Sequence, residues 1–334
     1  MTKSIRPSRL ILLSALFLIG LFVLDRGLYY GGNHLAASPY WHSEVSNRVT
    51  HAEKVEALIV GGCRAALHFD SQLIQNKIQL KTFNAGKAAI GIGNMEFILN
   101  AALTHQKPKY VFIVIDAGNL EENFDTARND LIKTIPWFSK LPPLEKENFI
   151  QQYQLNNLVY KTGLFSFMGK GDEFIRAGLR SALSSIRKGN LSINDGYEPR
   201  DPKQSLEKTL MDKKEYEDLL KHVKKELSLS EFSMETYSRM ISRVKKNGAE
   251  PILVVTPMHH LHATNEINAK VKQAILEMGK KESVQSFFYL DNYSSIANQN
   301  ELWSDSGHLN KLGAEMFSQN FSNDLDEYIQ KESK

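Results

Sequence analysis

Three continuous apolar runs constrain this chain more than anything else in it. Glu56–Val60 reads EALIV and stops at Gly61-Gly62; Tyr110–Asp116 reads YVFIVID; Pro251–Thr256 reads PILVVT and stops at Pro257. Runs of this length, rich in β-branched residues and without polar alternation, fit strands buried on both faces. Lys81–Asn84 is a weaker strand candidate closed by Ala85-Gly86, and Ser286–Leu290 (SFFYL) is a fifth. Helix-compatible segments, His68–Lys77 and Gly93–His105, separate the first three. Strands alternating with helices predict an α/β fold: a parallel sheet with helices on both faces, three layers in all.

The alternation breaks after Asn119. Residues 121–249 separate the third strand from the fourth and read as mostly helical, with breaks near Pro136, Pro142-Pro143 and Pro199–Pro202. Within them Tyr237, Met240, Ile241 and Val244 form an i, i+3, i+4, i+7 face closed by Asn247-Gly248. We expect this insert to form a helical cap over the carboxyl edge of the sheet. Residues 50–120 and 250–330 then make up the α/β domain. Leu312, Met316, Phe317 and Phe321 predict a last amphipathic helix packed on the sheet.

Leu10–Leu24 (LILLSALFLIGLFVL) carries no charge and follows Lys3, Arg6 and Arg9. A span typically needs ~20 apolar residues, so two readings compete, a signal-anchor over residues 1–30 and a cleaved signal. Asp25, Arg26, Tyr29 and Tyr30 follow the run where small residues would mark cleavage; Ala36-Ala37-Ser38 lies well downstream. That favours the anchor, with Tyr29, Tyr30, Tyr40 and Trp41 as an outer aromatic belt. Basic residues before the span would keep the amino terminus inside and the body outside the cytoplasm, on the periplasmic or extracellular face.

Beyond residue 25 the chain holds 38 basic and 37 acidic residues. So even a balance gives no general footprint for nucleic acid. One cysteine, Cys63, excludes an internal disulfide and a cysteine-built zinc site.

In an open parallel sheet, ligands bind beyond the carboxyl ends of the strands. The residues there are Gly61-Gly62-Cys63-Arg64, Asn84-Ala85-Gly86-Lys87-Ala88-Ala89, Ala117-Gly118-Asn119, Pro257-Met258-His259-His260-Leu261-His262 and, before the last helix, Asp305-Ser306-Gly307-His308. Gly61-x-Cys63, Gly118-Asn119 and Asp305-x-x-His308, in this order and on these elements, resemble the SGNH (GDSL-like) hydrolases over residues 55–119 and 250–325. The resemblance implies a flavodoxin-like three-layer sheet and a triad in which Cys63 attacks an acyl carbonyl, His308 is the base and Asp305 orients it. It also implies an oxyanion hole from the Cys63 N–H, from a backbone N–H near Gly86 and Ala89 and from the Asn119 amide. Cysteine stands where the family has serine. A thiolate needs less help from a base than a hydroxyl does, so catalysis and an inert copy of the fold are both open. Arg64, His259 and His260 are candidate substrate contacts.

An exported body of this type resembles the envelope branch of the family, similar to the teichoic acid D-alanyl transfer and alginate acetylation proteins. That implies O-acyl transfer or de-esterification on a cell-envelope or exopolysaccharide glycan, no cofactor or metal, and a membrane-bound O-acyltransferase as partner. The rival reading is a non-catalytic binding or scaffold subunit of such an assembly.

Overall fold

The computed structural model describes residues 7–37, 45–156, 161–166, 175–176, 178–179, 195–203, 205–221, 226–262, 264–290 and 294–332. The chain divides into two compact units, residues 1–47 with 132–191 and residues 48–131 with 192–334. The expected insert is therefore split between two units. Residues 121–131 and 192–249 belong to the sheet unit because they bond to its loops. Asp195 O accepts from Asn84 N at 2.7 Å, Glu198 N donates to Ala66 O at 3.2 Å, and Ser233 Oγ donates to Asn119 O at 2.7 Å.

In the first unit, helix α1 runs from Pro7 to Ala37 and is long and apolar enough to cross a membrane. Its large apolar side chains from Leu10 to Leu24 are 37–70% exposed. Burial begins abruptly at Asp25, whose carboxylate accepts from Leu164 N at 2.9 Å and from Arg26, which also donates to Lys161 O at 2.6 Å. Gly163 allows the close approach: a Cβ there would lie 2.3 Å from Asp25 O and Tyr29 N. The bare stretch thus coincides with the uncharged run, and packing starts at its first charge. Tyr30 is 68% exposed beyond it; Tyr40 and Trp41 lie outside the described residues. Trp137 and Phe138 are core residues.

In the second unit, strands β1 (Ala57–Val60), β2 (Thr82–Asn84), β3 (Tyr110–Val114), β4 (Glu250–Val255) and β5 (Gln285–Phe288) form a wholly parallel sheet in the order β2-β1-β3-β4-β5. All five sequence-predicted strands are present, each within two residues of its expected limits. Because side chains alternate across a strand, Ala57, Ile59, Phe112, Val114, Ile252 and Val254 share one face with Phe69, Ile74, Phe317, Phe321 and Leu325. Ile74 lies on helix α3 (Ser71–Ile78), the last three on the carboxyl-terminal helix Lys311–Glu332, and Phe69 in the turn between α3 and helix α2 (Cys63–His68), whose Ala65 joins the same cluster. The other face is covered by helices α4 (Ile92–His105), α5 (Glu231–Lys246) and α6 (Asn265–Glu282). On α5 the expected face is buried completely.

Three local details depart from the sequence reading. The helix expected over His68–Lys77 is two helices, because Asp70 caps a new one by accepting from Gln72 N and Leu73 N at 3.0 and 3.1 Å. The segment carrying Asp305 and His308 is an antiparallel hairpin, β6 (Trp303–Asp305) and β7 (His308–Leu309), rather than a loop. On the last helix, now α7 (Lys311–Glu332), Leu312 and Met316 are 50% and 38% exposed. Its buried stripe runs instead through Ala314, Phe317, Phe321 and Leu325, because Gly313 lets the helix touch Leu302 O, where a Cβ would sit 2.2 Å away.

Candidate active site

Cys63 is the first residue of α2, and Gly62 is its cap. The two preceding glycines make the sharp strand-to-helix turn possible. A Cβ on Gly61 would fall 2.7 Å from Ala65 Cβ and 2.8 Å from Val114 Cβ, closer than packed carbons come. The chain therefore turns against β3 and presents Cys63 at the carboxyl edge of the sheet, half-exposed.

The hairpin brings the two distant residues to it. His308 Nδ1 lies 2.8 and 3.0 Å from the two Asp305 carboxylate oxygens, and Cys63 is near enough to the same imidazole to raise its proton affinity. With Nδ1 turned to Asp305, Nε2 is the atom left for the sulfur. Burial alone would lower the His308 proton affinity; the Asp305 and Cys63 contacts and charges overcome it and raise its pKa to about 9. For Asp305 burial pushes upward, and the opposing His308, Gly307 N–H and Arg200 contacts hold it well below the usual carboxylate range. The geometry brings together the expected Cys63, His308 and Asp305 in one line of contacts.

Two residues that sequence reasoning passed over complete this line. Arg200 donates to Asp305 Oδ2 and to Ser304 Oγ at 3.1 Å; Ser304 Oγ in turn donates to His308 O at 3.0 Å. Lys311 N donates to Arg200 O at 3.0 Å. Arg200 lies between Pro199 and Pro202, read only as a break in the helical pattern; the prolines bias their neighbours toward extended backbone. His68, fully buried, accepts Leu309 N on Nε2 at 3.1 Å and so holds β7 in place. Burial keeps it neutral, helped by the Arg64 charge. Its place on the helix that begins at Cys63 was the available signal.

The expected oxyanion donors are differently placed. Gly86 N donates to Asn84 Oδ1 at 2.9 Å, so it is already engaged. Gly86 is a packing glycine: a Cβ would lie 2.3 Å from Ala66 N. Asn84 also donates to Ala65 O and Phe69 O at 2.7 and 2.9 Å, tying the second loop to α2. Ala89 is exposed at φ 56°, in the left-handed region. Asn119 is buried and its Oδ1 lies 3.4 Å from where a Gly62 Cβ would be, beside the turn that precedes Cys63. Its Nδ2 points the other way, to Glu122 Oε1 at 2.7 Å, and Oδ1 has no partner. Glu122 also accepts from Ile92 N at 2.9 Å. Burial raises its pKa; the Asn119 and Ile92 bonds oppose that, and the Asp116 and Asp130 charges add to it.

Of the expected substrate contacts, His259 must be corrected. It is 0% exposed; its Nδ1 accepts from Leu261 N at 3.2 Å and its Nε2 meets Asn300 Oδ1 at 2.9 Å. Burial lowers its pKa to about 4 against the Asn300 bond, and its ring packs on Trp303. It is a neutral core histidine. His260 is exposed and lies on the His259 ring, centroids 4.3 Å apart. His262 is the histidine of this loop that reaches the hairpin, its ring 3.2 Å from where a Gly307 Cβ would be. Arg64 is buried beside Cys63. Among the described residues no group of three or more His, Cys, Asp or Glu side chains is arranged to hold a metal ion.

The chain matches no family model and no curated protein sequence.

Proposed function

We propose that this protein performs acyl-ester chemistry, O-acyl transfer or de-esterification, on a glycan outside the cytoplasm through a covalent acyl group on Cys63. The observation that carries this reading is the Cys63–His308–Asp305 line at the carboxyl edge of a parallel sheet. The strand order 2-1-3-4-5 is that of the doubly wound flavodoxin-like fold, which supports the SGNH type.

In the first half-reaction the Cys63 sulfur attacks the ester carbonyl carbon. A C–S bond forms, the C–O bond breaks, and protonated His308 gives its proton to the departing alkoxide. In the second, neutral His308 takes a proton from a glycan hydroxyl or water as that oxygen attacks the thioester; the C–S bond breaks and the proton returns the site to its starting state. Asp305, held by Arg200 and Gly307, orients the imidazole and stabilises its charged form. A thioester retains most of the driving force of an activated acyl group, which favours transfer over hydrolysis. Intact-mass measurement after exposure to an activated acyl ester is the direct test. An added acyl mass on Cys63 supports the reading, and an unmodified chain refutes it.

The non-catalytic scaffold reading draws on one specific observation, that the Asn119 amide nitrogen and the Gly86 N–H are both engaged elsewhere. Glu122→Gln tests whether Asn119 can serve as an oxyanion donor. A glutamine there can accept Ile92 N on its oxygen while its amide donates to Asn119 Oδ1. That turns the Asn119 nitrogen toward Cys63, where it would stabilise an oxyanion. If Asn119 serves catalysis, the variant should raise kcat by about 10-fold, a fraction of the 10²–10³ ascribed to one such donor. A rate unchanged or lowered would remove Asn119 from the oxyanion hole.

We further propose a single-pass anchor with the body outside the cytoplasm. The bare Leu10–Leu24 surface and the Lys3, Arg6 and Arg9 cluster support it. The full-length chain should stay with the membrane fraction, its body open to protease added from outside. A soluble, shortened species beginning near Ser38 would overturn this.

A further inference from the structure

The first unit holds a cavity that the chemistry at Cys63 does not use. Its volume is about 760 Å³, within the range of small-molecule sites. Among the described residues its lining combines the apolar Leu141, Ile150, Leu155 and Tyr29 of α1 with Lys146 and Lys161 against Glu147. Leu141, Ile150 and Leu155 are buried, so the apolar part of the wall belongs to the core of this unit. Two contacts fix α1 to the rest of the wall. Arg26 donates to Lys161 O at 2.6 Å, and its guanidinium lies 5.0 Å from the centroid of the Tyr29 ring. A Cβ on Gly163 would lie 2.3 Å from Tyr29 N, so the segment that carries Lys161 meets the helix at the residue that lines the cavity.

The position of the cavity along α1 singles it out. A hydrocarbon core is crossed by about 20 helical residues, and that number counted from Leu10, where the uncharged run begins, ends at Tyr29. With α1 across a membrane, the cavity falls at the boundary between acyl chains and headgroups, the layer in which a phospholipid carries its phosphate. Lysine suits this place, because its aliphatic stem lies along apolar surface while its ammonium reaches a polar group. Burial lowers the Lys146 pKa and the Glu147 charge opposes that. Water screens such a partly covered ammonium less, so an anion beside it is held more strongly than on open surface.

We propose that this cavity seats the headgroup of one anionic phospholipid of the outer-facing leaflet, with its phosphate on Lys146 and Lys161 and its glycerol carbons against Leu141, Ile150 and Leu155. This rests on the reading of α1 as a membrane anchor and is independent of the acyl chemistry. A zwitterionic lipid offers the same phosphate but brings a cation of its own to a wall that already holds two lysines. A soluble glycerol phosphate offers the charge without the chains that keep a lipid at this depth. The seated lipid holds the first unit at one rotation against the bilayer, which a single span does not set without anchors at the interface.

Full-length protein in a neutral detergent is titrated with phosphatidylglycerol, phosphatidylcholine or soluble glycerol phosphate and read by native mass spectrometry. One phosphatidylglycerol per chain should be retained at least ~10-fold more tightly than phosphatidylcholine, and glycerol phosphate should not displace it. Lys146→Gln combined with Lys161→Gln should weaken that retention by about 10-fold, the worth of two partly exposed ion pairs. Gln151, an exposed residue of the lining, offers a second variant. Gln151→Trp should fill the cavity and release the lipid while leaving both lysines in place. An unchanged melting temperature without lipid shows that these variants fold. Equal retention of the two lipids, displacement by glycerol phosphate, or a preference that neither variant changes (lipid on the bare helix only) overturns the proposal. Membrane fractionation and intact mass read the anchor separately. A full-length chain in the membrane fraction without the lipid preference refutes this site and leaves the anchor standing. A chain shortened to near Ser38 refutes the anchor and, by removing Tyr29, the site as well.

Discussion

Cys63→Ala is expected to abolish both the acyl adduct and turnover, a loss of at least ~10³-fold, because no other nucleophile lies at the head of α2. Cys63→Ser should retain a small residue of activity. His308 lies near the Cys63 side chain and can serve a hydroxyl placed there, but an alcohol needs a neutral base where a thiolate does not. The His308 pKa of about 9 includes the Cys63 contribution; without that sulfur it should fall, and the serine variant should gain rate as rising pH frees the neutral base. The measurement is intact mass and initial rate across pH for both variants. Undiminished turnover in Cys63→Ala would remove Cys63 from the chemistry, and the absence of both adduct and turnover in the wild type would favour the scaffold reading.

The second large effect is expected at His308. His308→Ala should lower turnover by 10²–10⁴-fold, the usual worth of general acid–base catalysis, without unfolding the chain. NMR titration of the wild type should place the His308 midpoint near 9, where burial is outweighed by the Asp305 and Cys63 contacts. Asp305→Asn should bring that midpoint down toward the ordinary 6.5, and Arg200→Ala should lower turnover by loosening the Asp305 carboxylate that it holds. Stability follows the same linkage. The folded-state pKa of His308 lies above its unfolded value, so its contribution is fully present below about pH 6.5 and is lost as the pH rises through about 9. Melting temperature should therefore fall across that interval in the wild type and not in His308→Gln. A His308 midpoint at or below 6.5 would mean that it does not face a negatively charged partner.

The strands were legible in the sequence because burial on both faces leaves a local signature. A run such as YVFIVID can satisfy its backbone only between two other strands, and Gly61-Gly62 and Pro257 mark where each run must end. The same holds for the amino-terminal helix, which is long and apolar enough to cross a membrane. Fifteen uncharged residues have no place on a protein surface in water, and α1 leaves them bare until Asp25. That Asp305 and His308 lie together was legible too, from their spacing of three residues before the last helix. Only tertiary structure decided the rest. Arg200 acts on Asp305 across 105 residues, and no periodicity records a contact at that distance. His259 and His262 are three residues apart with the same side chain, yet one is sealed against Trp303 and the other reaches the hairpin, because burial depends on what the fold lays over a loop. Gly86 packs on α2 and Asn119 lies beside Gly62, but which way a hydrogen-bond donor points depends on its nearest acceptor. Asn84 and Glu122, not the sequence order of the motifs, decide that direction.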